Sequence, residues 1–291
     1  MGELFALLCA LFWAVAVIFF KRSGESVAPF ALNLFRVGVS SVLLAVTCEV
    51  VGQPLSRAAP WRDVLILMGG GVLSIAVADT MFHKCLNMVG AAVTAIVDCL
   101  YSPLMILFAY LLLGETVDAT DLLGMVLVVG GVLLAVGRPH ADALSRARRA
   151  RGMLWGVGAM TALTLGVIAV KPVLERQPVV WATTVRQLGA LAVMLPVALA
   201  STQRRRLLGV FVPRADWRFT LSGTVAGSYL ALMFWLAGLK YEQAGVAAIL
   251  NQTSTVYVLI LAALVLKEEF TRRTALAAVL ALGGILLVTL A

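Results

Sequence analysis

The sequence predicts an all-α integral membrane protein: ten transmembrane helices arranged as two inverted five-helix repeats. Three observations predict it. Of 291 residues, 62% are hydrophobic and 13% charged, whereas a soluble domain is nearer half apolar and a quarter charged. The apolar residues fall in unbroken runs, each close to the ~20 residues with which a helix crosses a bilayer. Residues of the second half also repeat those of the first at a nearly constant offset. Unbroken runs exclude a transmembrane barrel, whose strands alternate apolar and polar positions. The composition excludes an ordinary cytosolic enzyme, a disordered chain and a secreted disulfide scaffold.

The spans follow in order. The first run, Leu4 to Phe20, opens behind Glu3 and ends at Lys21-Arg22. That polarity is the reverse of a cleavable signal peptide, and none is expected. The second runs from Pro29 to Val51 with Arg36 in its first half, the third from Val64 to Phe82, and the fourth from Ala91 to Leu113, interrupted at Pro103. The fifth covers Leu122 to Val136. A basic connector, residues 138–151, then separates a first unit at 1–137 from a second at 152–291. The second unit carries Met153 to Val170, Val180 to Ala200, Phe219 to Leu239, Ala244 to Leu266 and Thr274 to Leu290. Cys9, Cys48, Cys85 and Cys99 lie in apolar runs without a CxxC pair; they read as buried free thiols, not metal ligands.

The repeat is visible residue by residue. Lys21 and Arg36 match Lys171 and Arg186 at an offset of 150. After a slip of three residues, Pro60 and Asp63 match Pro213 and Asp216, Asp98 matches Asn251, and Glu115 matches Glu268. Gly130-Gly131 likewise matches Gly283-Gly284. Five spans per unit is an odd number, so the second unit enters the membrane from the opposite side. Inverted repeats of this kind build secondary transporters, with the binding site at midplane between the halves.

Charge sets the expected orientation. Loops of one parity hold sixteen of the 23 Lys and Arg, loops of the other hold five, and Arg36 and Arg186 inside spans complete the count. The positive-inside rule makes the sixteen-charge side cytoplasmic and puts both termini outside. The net charge of +8 therefore reads as loop charge toward anionic lipid, the connector and the Arg204-Arg205-Arg206 run included, and not as a nucleic-acid surface.

Ionisable residues inside spans are costly and mark cavities or partners. Asp79 and His83 lie four apart on one face of the third span, where a hydrated pair would bind a cation or take up a proton. An intramembrane ion pair, or a histidine meeting water at the interface, is the plainer alternative. The fourth span aligns Thr94, Asp98, Tyr101 and Met105 on one face. The ninth aligns Asn251, Ser254 and Val258, with Gln252, Thr253 and Tyr257 nearby. Asp98 is the charged anchor of this patch and Asn251 its counterpart, unless the patch only joins helices. Trp13, Tyr229 and Trp235 are candidate aromatic walls for an apolar or cationic ligand. Thr161 and Thr164 are further candidate hydroxyls. Arg36 and Arg186, early in their helices, are expected to snorkel to the interface or to pair with a loop carboxylate, with an anion-binding role as the alternative.

The stretch from Phe82 to Val136, with Leu86, Ser102-Pro103, Gly114-Glu115, Gly124 and Gly130-Gly131, resembles the EamA-type repeat of the drug/metabolite transporter superfamily. The stretch from Tyr241 to Arg273 resembles its second half, with Glu268 in the Glu115 place and Val256 where the first has proline. Trp13 and Arg36 fall where that repeat usually has tryptophan and arginine. The resemblance covers nearly the whole chain. It implies that helices one, three, four, six, eight and nine line a substrate cavity, and that both termini lie inside, against the charge count. It implies no particular substrate, since relatives carry amino acids, amines, sugars, nucleotide-linked sugars and drugs.

The expected function is secondary-active transport of a small organic metabolite, with an amino acid or related zwitterion or amine, exported, as the specific expectation. A multi-pass protein of a bacterial cytoplasmic membrane is expected, with no cofactor, no metal, and either a monomer or a homodimer. A channel or a non-transporting membrane subunit is the alternative. A membrane enzyme is not expected, because the chain has no HExxH, GxSxG or Walker sequence.

Overall fold

At Gly71 a helix of the first unit packs directly on the backbone of a helix of the second. The computed structural model describes residues 2–113, 119–136, 146–213, 217–235, 244–269 and 271–290. Every long element among them is helical. In order these are α1 (Gly2–Ser23), α2 (Pro29–Val50), α3 (Trp61–Val89), α4 (Ala91–Leu112) and α5 (Ala119–Val136). Then come α6 (Arg146–Arg176), α7 (Val179–Ala200), α8 (Trp217–Gly223, continued by Thr224–Ala231), α9 (Ala244–Val265) and α10 (Arg272–Leu290). A short helix, Arg204–Leu208, lies between α7 and α8.

Local chemistry sets the ends. Lys21 and Arg22 occupy the last turn of α1, where cations meet the negative end of the helix dipole. Pro29 opens α2, where its missing N–H is no loss. α4 does not break at Pro103 itself; it breaks just before, at Cys99-Leu100, into Ala91–Asp98 and Tyr101–Leu113. A proline clashes with the carbonyl four residues earlier, here that of Cys99, and is itself tolerated in a first turn. α6 begins at Arg146, so the end of the expected connector is helical; the rest of it, 138–145, lies outside the described residues.

Two π-helical segments interrupt matching helices, Val72–Val77 in α3 and Thr224–Ala231 in α8. In each, a hydroxyl bonds the carbonyl four residues back: Ser74 to Gly70 at 2.6 Å, and Thr224 to Thr220 at 2.7 Å. Such bonds compete with the backbone ladder and favour local widening.

The principal helix contacts come in mates exchanged by the repeat offset. α1 packs on α8 as α6 packs on α3, α1 on α9 as α6 on α4, and α3 on α7 as α8 on α2. α2–α7, α4–α9 and α5–α10 are their own mates. Apolar side chains lie on the outside: Val42, Leu111, Leu133, Leu154, Leu264 and Val279 are each 60% exposed or more, an apolar surface of the kind that faces lipid. Six helical stretches are long and apolar enough to cross a membrane, and Leu122–Ala135 and Thr253–Val265 are shorter apolar helices. All four cysteines are buried and free.

Small residues set the closest approaches. Of the matching glycine pairs, Gly131 and Gly284 face the α5–α10 contact, while Gly130 and Gly283 face open space. A Cβ on Gly71 would lie 1.9 Å from the Arg186 carbonyl oxygen of α7. Gly71→Ala is therefore expected to lower stability by about 1–3 kcal/mol, the usual cost of overpacking. Gly69→Ala, where a Cβ meets nothing within 4 Å, is expected to leave it unchanged, and thermal unfolding of the two variants checks both.

Candidate functional site

Side chains from α1, α2, α3, α4, α6, α7, α8 and α9 enclose a cavity of about 250 Å³. Its walls come in offset mates. Trp13 faces the same space as Leu163, and Arg36 the same space as Arg186, both at an offset of 150. Asp79 pairs with Leu232, Asp98 with Asn251, and Tyr101 with Ser254, all at 153. Ser74 and Ser228, one from each π segment, also line it. The mates agree in position, but both acids come from the first unit.

The arginines do not snorkel. Arg36 and Arg186 are only 5% and 6% exposed, and each reaches into the π segment of the opposite unit. Arg36 donates from Nε to Ser228 Oγ at 2.8 Å, and Arg186 donates from NH2 to Ser74 Oγ at 3.0 Å. The expectation of an interfacial role is overturned because packing of the two units puts both positions on the cavity wall.

Arg36 is heavily partnered. Its NH1 lies 3.3 Å from Asp79 Oδ2 and donates to His83 Nε2 at 2.8 Å. Its guanidinium also sits 4.6 Å over the Phe20 ring, a favourable cation–π geometry. Donation to Nε2 places the histidine proton on Nδ1, which has no partner among the described residues. Asp79 and His83 thus share one arginine, as their four-residue spacing allows. His83 is buried behind the cavity wall, packed edge-on against Phe20 and Phe82.

Arg186 is less engaged: its Nε has no hydrogen-bond partner among the described residues. The same holds for Asn251 Oδ1. Gln187, also on the wall, bonds Ser40 through its side-chain amide.

Seven of the expected site residues line the cavity: Asp98, Asn251, Asp79, Tyr101, Ser254, Trp13 and Trp235. Tyr229 does not; its hydroxyl bonds Thr47 Oγ1 at 2.9 Å, because it follows Ser228 on the π turn and faces α2. Tyr257 packs with the apolar core, six positions past Asn251 and so off its helical face. The Gln252 side chain lies outside the described residues. Thr161 and Thr164 bond carbonyls of their own helix and are not on the cavity wall. Ser74 and Ser228 were missed as wall residues, and Arg36 and Arg186 were expected in a binding role only as the anion-binding alternative. The shared 150-residue offset of the arginines was the one signal pointing to a common role.

Inter-unit clasps lie away from the cavity. Glu268 accepts from the Ala91 and Ala92 amides at 2.8 and 3.0 Å, closing the end of α9 onto the start of α4. Arg22 donates to the Val265 carbonyl at 3.0 Å, across the units, whereas Lys21 donates to that of Leu86 at 3.2 Å within the first unit. A second clasp joins the start of α3 to the end of α6: Arg176 grips Asp63 at 2.5 and 3.1 Å, and Gln177 adds 2.8 Å. Hydrogen bonding to Asp63 raises the Arg176 pKa above its already high ordinary value, so the cation is retained.

Taken with the lipid-facing exterior, these features define a multi-pass membrane protein that encloses a charged cavity between two similar units. The chain belongs to the EamA-like transporter family, which it matches over residues 1–137 and 150–290. It is 22% identical over 133 residues to an uncharacterized transporter of Clostridium kluyveri and 24% identical over 133 residues to the uncharacterized transporter YoaV of Bacillus subtilis. It is 26% identical over 137 residues to an uncharacterized transporter of Archaeoglobus fulgidus. Each match covers 46% of this chain, and the chain spans 43% to 47% of those relatives' own length. One crystal structure shares the fold with a TM-score of 0.68 at 16% identity, covering 99% of this chain and 96% of its own.

Proposed function

We propose that this protein is a secondary-active carrier with ten spans in two inverted five-helix repeats, residues 1–137 and 152–291. The two units rock about the central cavity in alternating access and move a small organic metabolite. The single observation that carries this reading is the cavity wall. It is built from both units at positions exchanged by the repeat offset, which is where inverted-repeat carriers place their sites.

Asp98 is the anchor for a cationic group. Among the described residues the arginine ion pair goes to Asp79 and not to Asp98, so its carboxyl faces the cavity without one. Asn251, Tyr101 and Ser254 supply polar contacts, and Trp13 and Trp235 supply aromatic wall. Asp79 and His83, joined through Arg36, are the proton-coupling candidates. An amino acid or related zwitterion is the favoured cargo, with export as the direction that the family resemblance suggests. The positive loops make the sixteen-charge side cytoplasmic, in the cytoplasmic membrane of a prokaryote.

Counterflow in proteoliposomes tests the reading, with labelled amino acids, polyamines, sugars and nucleosides, with and without a pH gradient. Saturable exchange of one class is expected, falling at least tenfold in Asp98→Asn. Conductance without exchange kinetics would mean a channel, and no exchange in folded protein would mean a non-transporting subunit. Robust exchange unaffected by Asp98→Asn would keep the carrier and remove Asp98 from its site.

A further inference from the structure

The two arginines are mates in the repeat, but Arg36 has partners that Arg186 is not given, a carboxylate foremost. In the first unit, Arg36 has a carboxylate, Asp79, at 3.3 Å. The 153-residue offset carries Asp79 onto Leu232, which lines the same cavity. The second unit therefore places an arginine where the first does, and an apolar side chain where the first has the counter-ion.

Arg186 is only 6% exposed, its Nε has no hydrogen-bond partner among the described residues, and its bonded neighbour is the neutral Ser74 hydroxyl. A buried guanidinium on a cavity wall, bonded to a neutral hydroxyl and with one donor left unpaired among the described residues, is costly unless an anion approaches it. Five donors in a planar fork suit the two oxygens of a carboxylate.

We infer that Arg186 is an anion subsite of the cavity, which takes the carboxylate of the substrate while Asp98 takes its cationic group. This rests on reading the cavity as the substrate site, and it narrows the cargo: a plain amine or polyamine leaves Arg186 unanswered, whereas a zwitterion answers both charges. Ser74 positions the guanidinium. Leu232 keeps it free by withholding the internal carboxylate that Asp79 supplies to Arg36.

The test uses purified full-length protein in detergent and three matched probes: phenylalanine, phenethylamine and 3-phenylpropionate. Both carboxylate-bearing probes are expected to raise the melting temperature of wild type and to lose at least tenfold in apparent affinity in Arg186→Gln. Phenethylamine is expected to behave alike in the two proteins. Equal carboxylate shifts in wild type and Arg186→Gln, or a wild-type response to the amine alone, would overturn the subsite.

A ligand-free cycle decides the matter where Arg186→Gln folds poorly or no probe binds. Leu232→Asp supplies the missing carboxylate and is expected to raise the melting temperature with Arg186 present and to lower it in Arg186→Gln or Arg186→Leu. An equal effect of Leu232→Asp in both backgrounds means that Arg186 seeks no anion, and the inference falls. Counterflow is read separately: exchange with an uncoupled cycle removes the subsite and keeps the carrier, while a coupled cycle without exchange keeps the subsite and removes the carrier.

Discussion

Arg36→Leu is expected to be the most damaging single substitution of a polar side chain in this protein. It removes the cation from Asp79, the donor from His83 Nε2 and the partner of Ser228 in one step. Breaking a buried ion pair by deleting one member typically costs about 3–5 kcal/mol, because the remaining charge is stranded. Arg36→Leu/Asp79→Leu strands no charge, and is expected to recover most of the loss. Thermal unfolding of the two single variants and the double variant forms a cycle. Strictly additive losses would falsify the view that the pair acts as a unit.

Glu268→Ala is expected to have an effect of comparable size. One carboxylate satisfies two adjacent amides at the start of α4, and hydrogen bonds to a charged group contribute about 1.5–3 kcal/mol each. Negative charge at a helix N-terminus adds to that. The geometry leaves no substitute. Gly90 has a φ of +88°, and a Cβ there would stand 2.8 Å from Glu268 Oε1, so no side chain can replace the acceptor from that position. Glu268→Ala is expected to lower the melting temperature and to speed hydrogen exchange at the start of α4, while Glu269→Ala leaves that exchange unchanged. Unaltered exchange at Ala91 and Ala92 in Glu268→Ala would mean that the clasp holds nothing.

These two contacts differ in how far the sequence announces them. Glu268 stands at the same offset as Asp98 and Asn251, so its pairing with Glu115 is readable from the chain. Its acceptance of two backbone amides 176 and 177 residues away is not, since no residue type marks a free amide. Asp79 and His83 are readable as neighbours on one helical face. Arg36 between them is not, because nothing local says which helix packs against α3.

What the sequence alone determined is what depends on near neighbours and on solvent. Continuous apolar runs require helices in lipid, where each backbone group must find its partner within its own segment. Helical period puts Asp98 and Tyr101 on one face, and Asn251 and Ser254 on another. Spacing at 150 and 153 relates the halves. The tertiary structure decided what depends on facing surfaces. It turned Tyr229 to Thr47 on a widened π turn, and moved the break in α4 ahead of Pro103. It also drew Arg36 and Arg186 from the expected interface into the cavity. A long, charged side chain can reach either water or a buried partner from the same helical position, and only the packing of the opposite unit, with Ser228 and Ser74 within reach, selects between them.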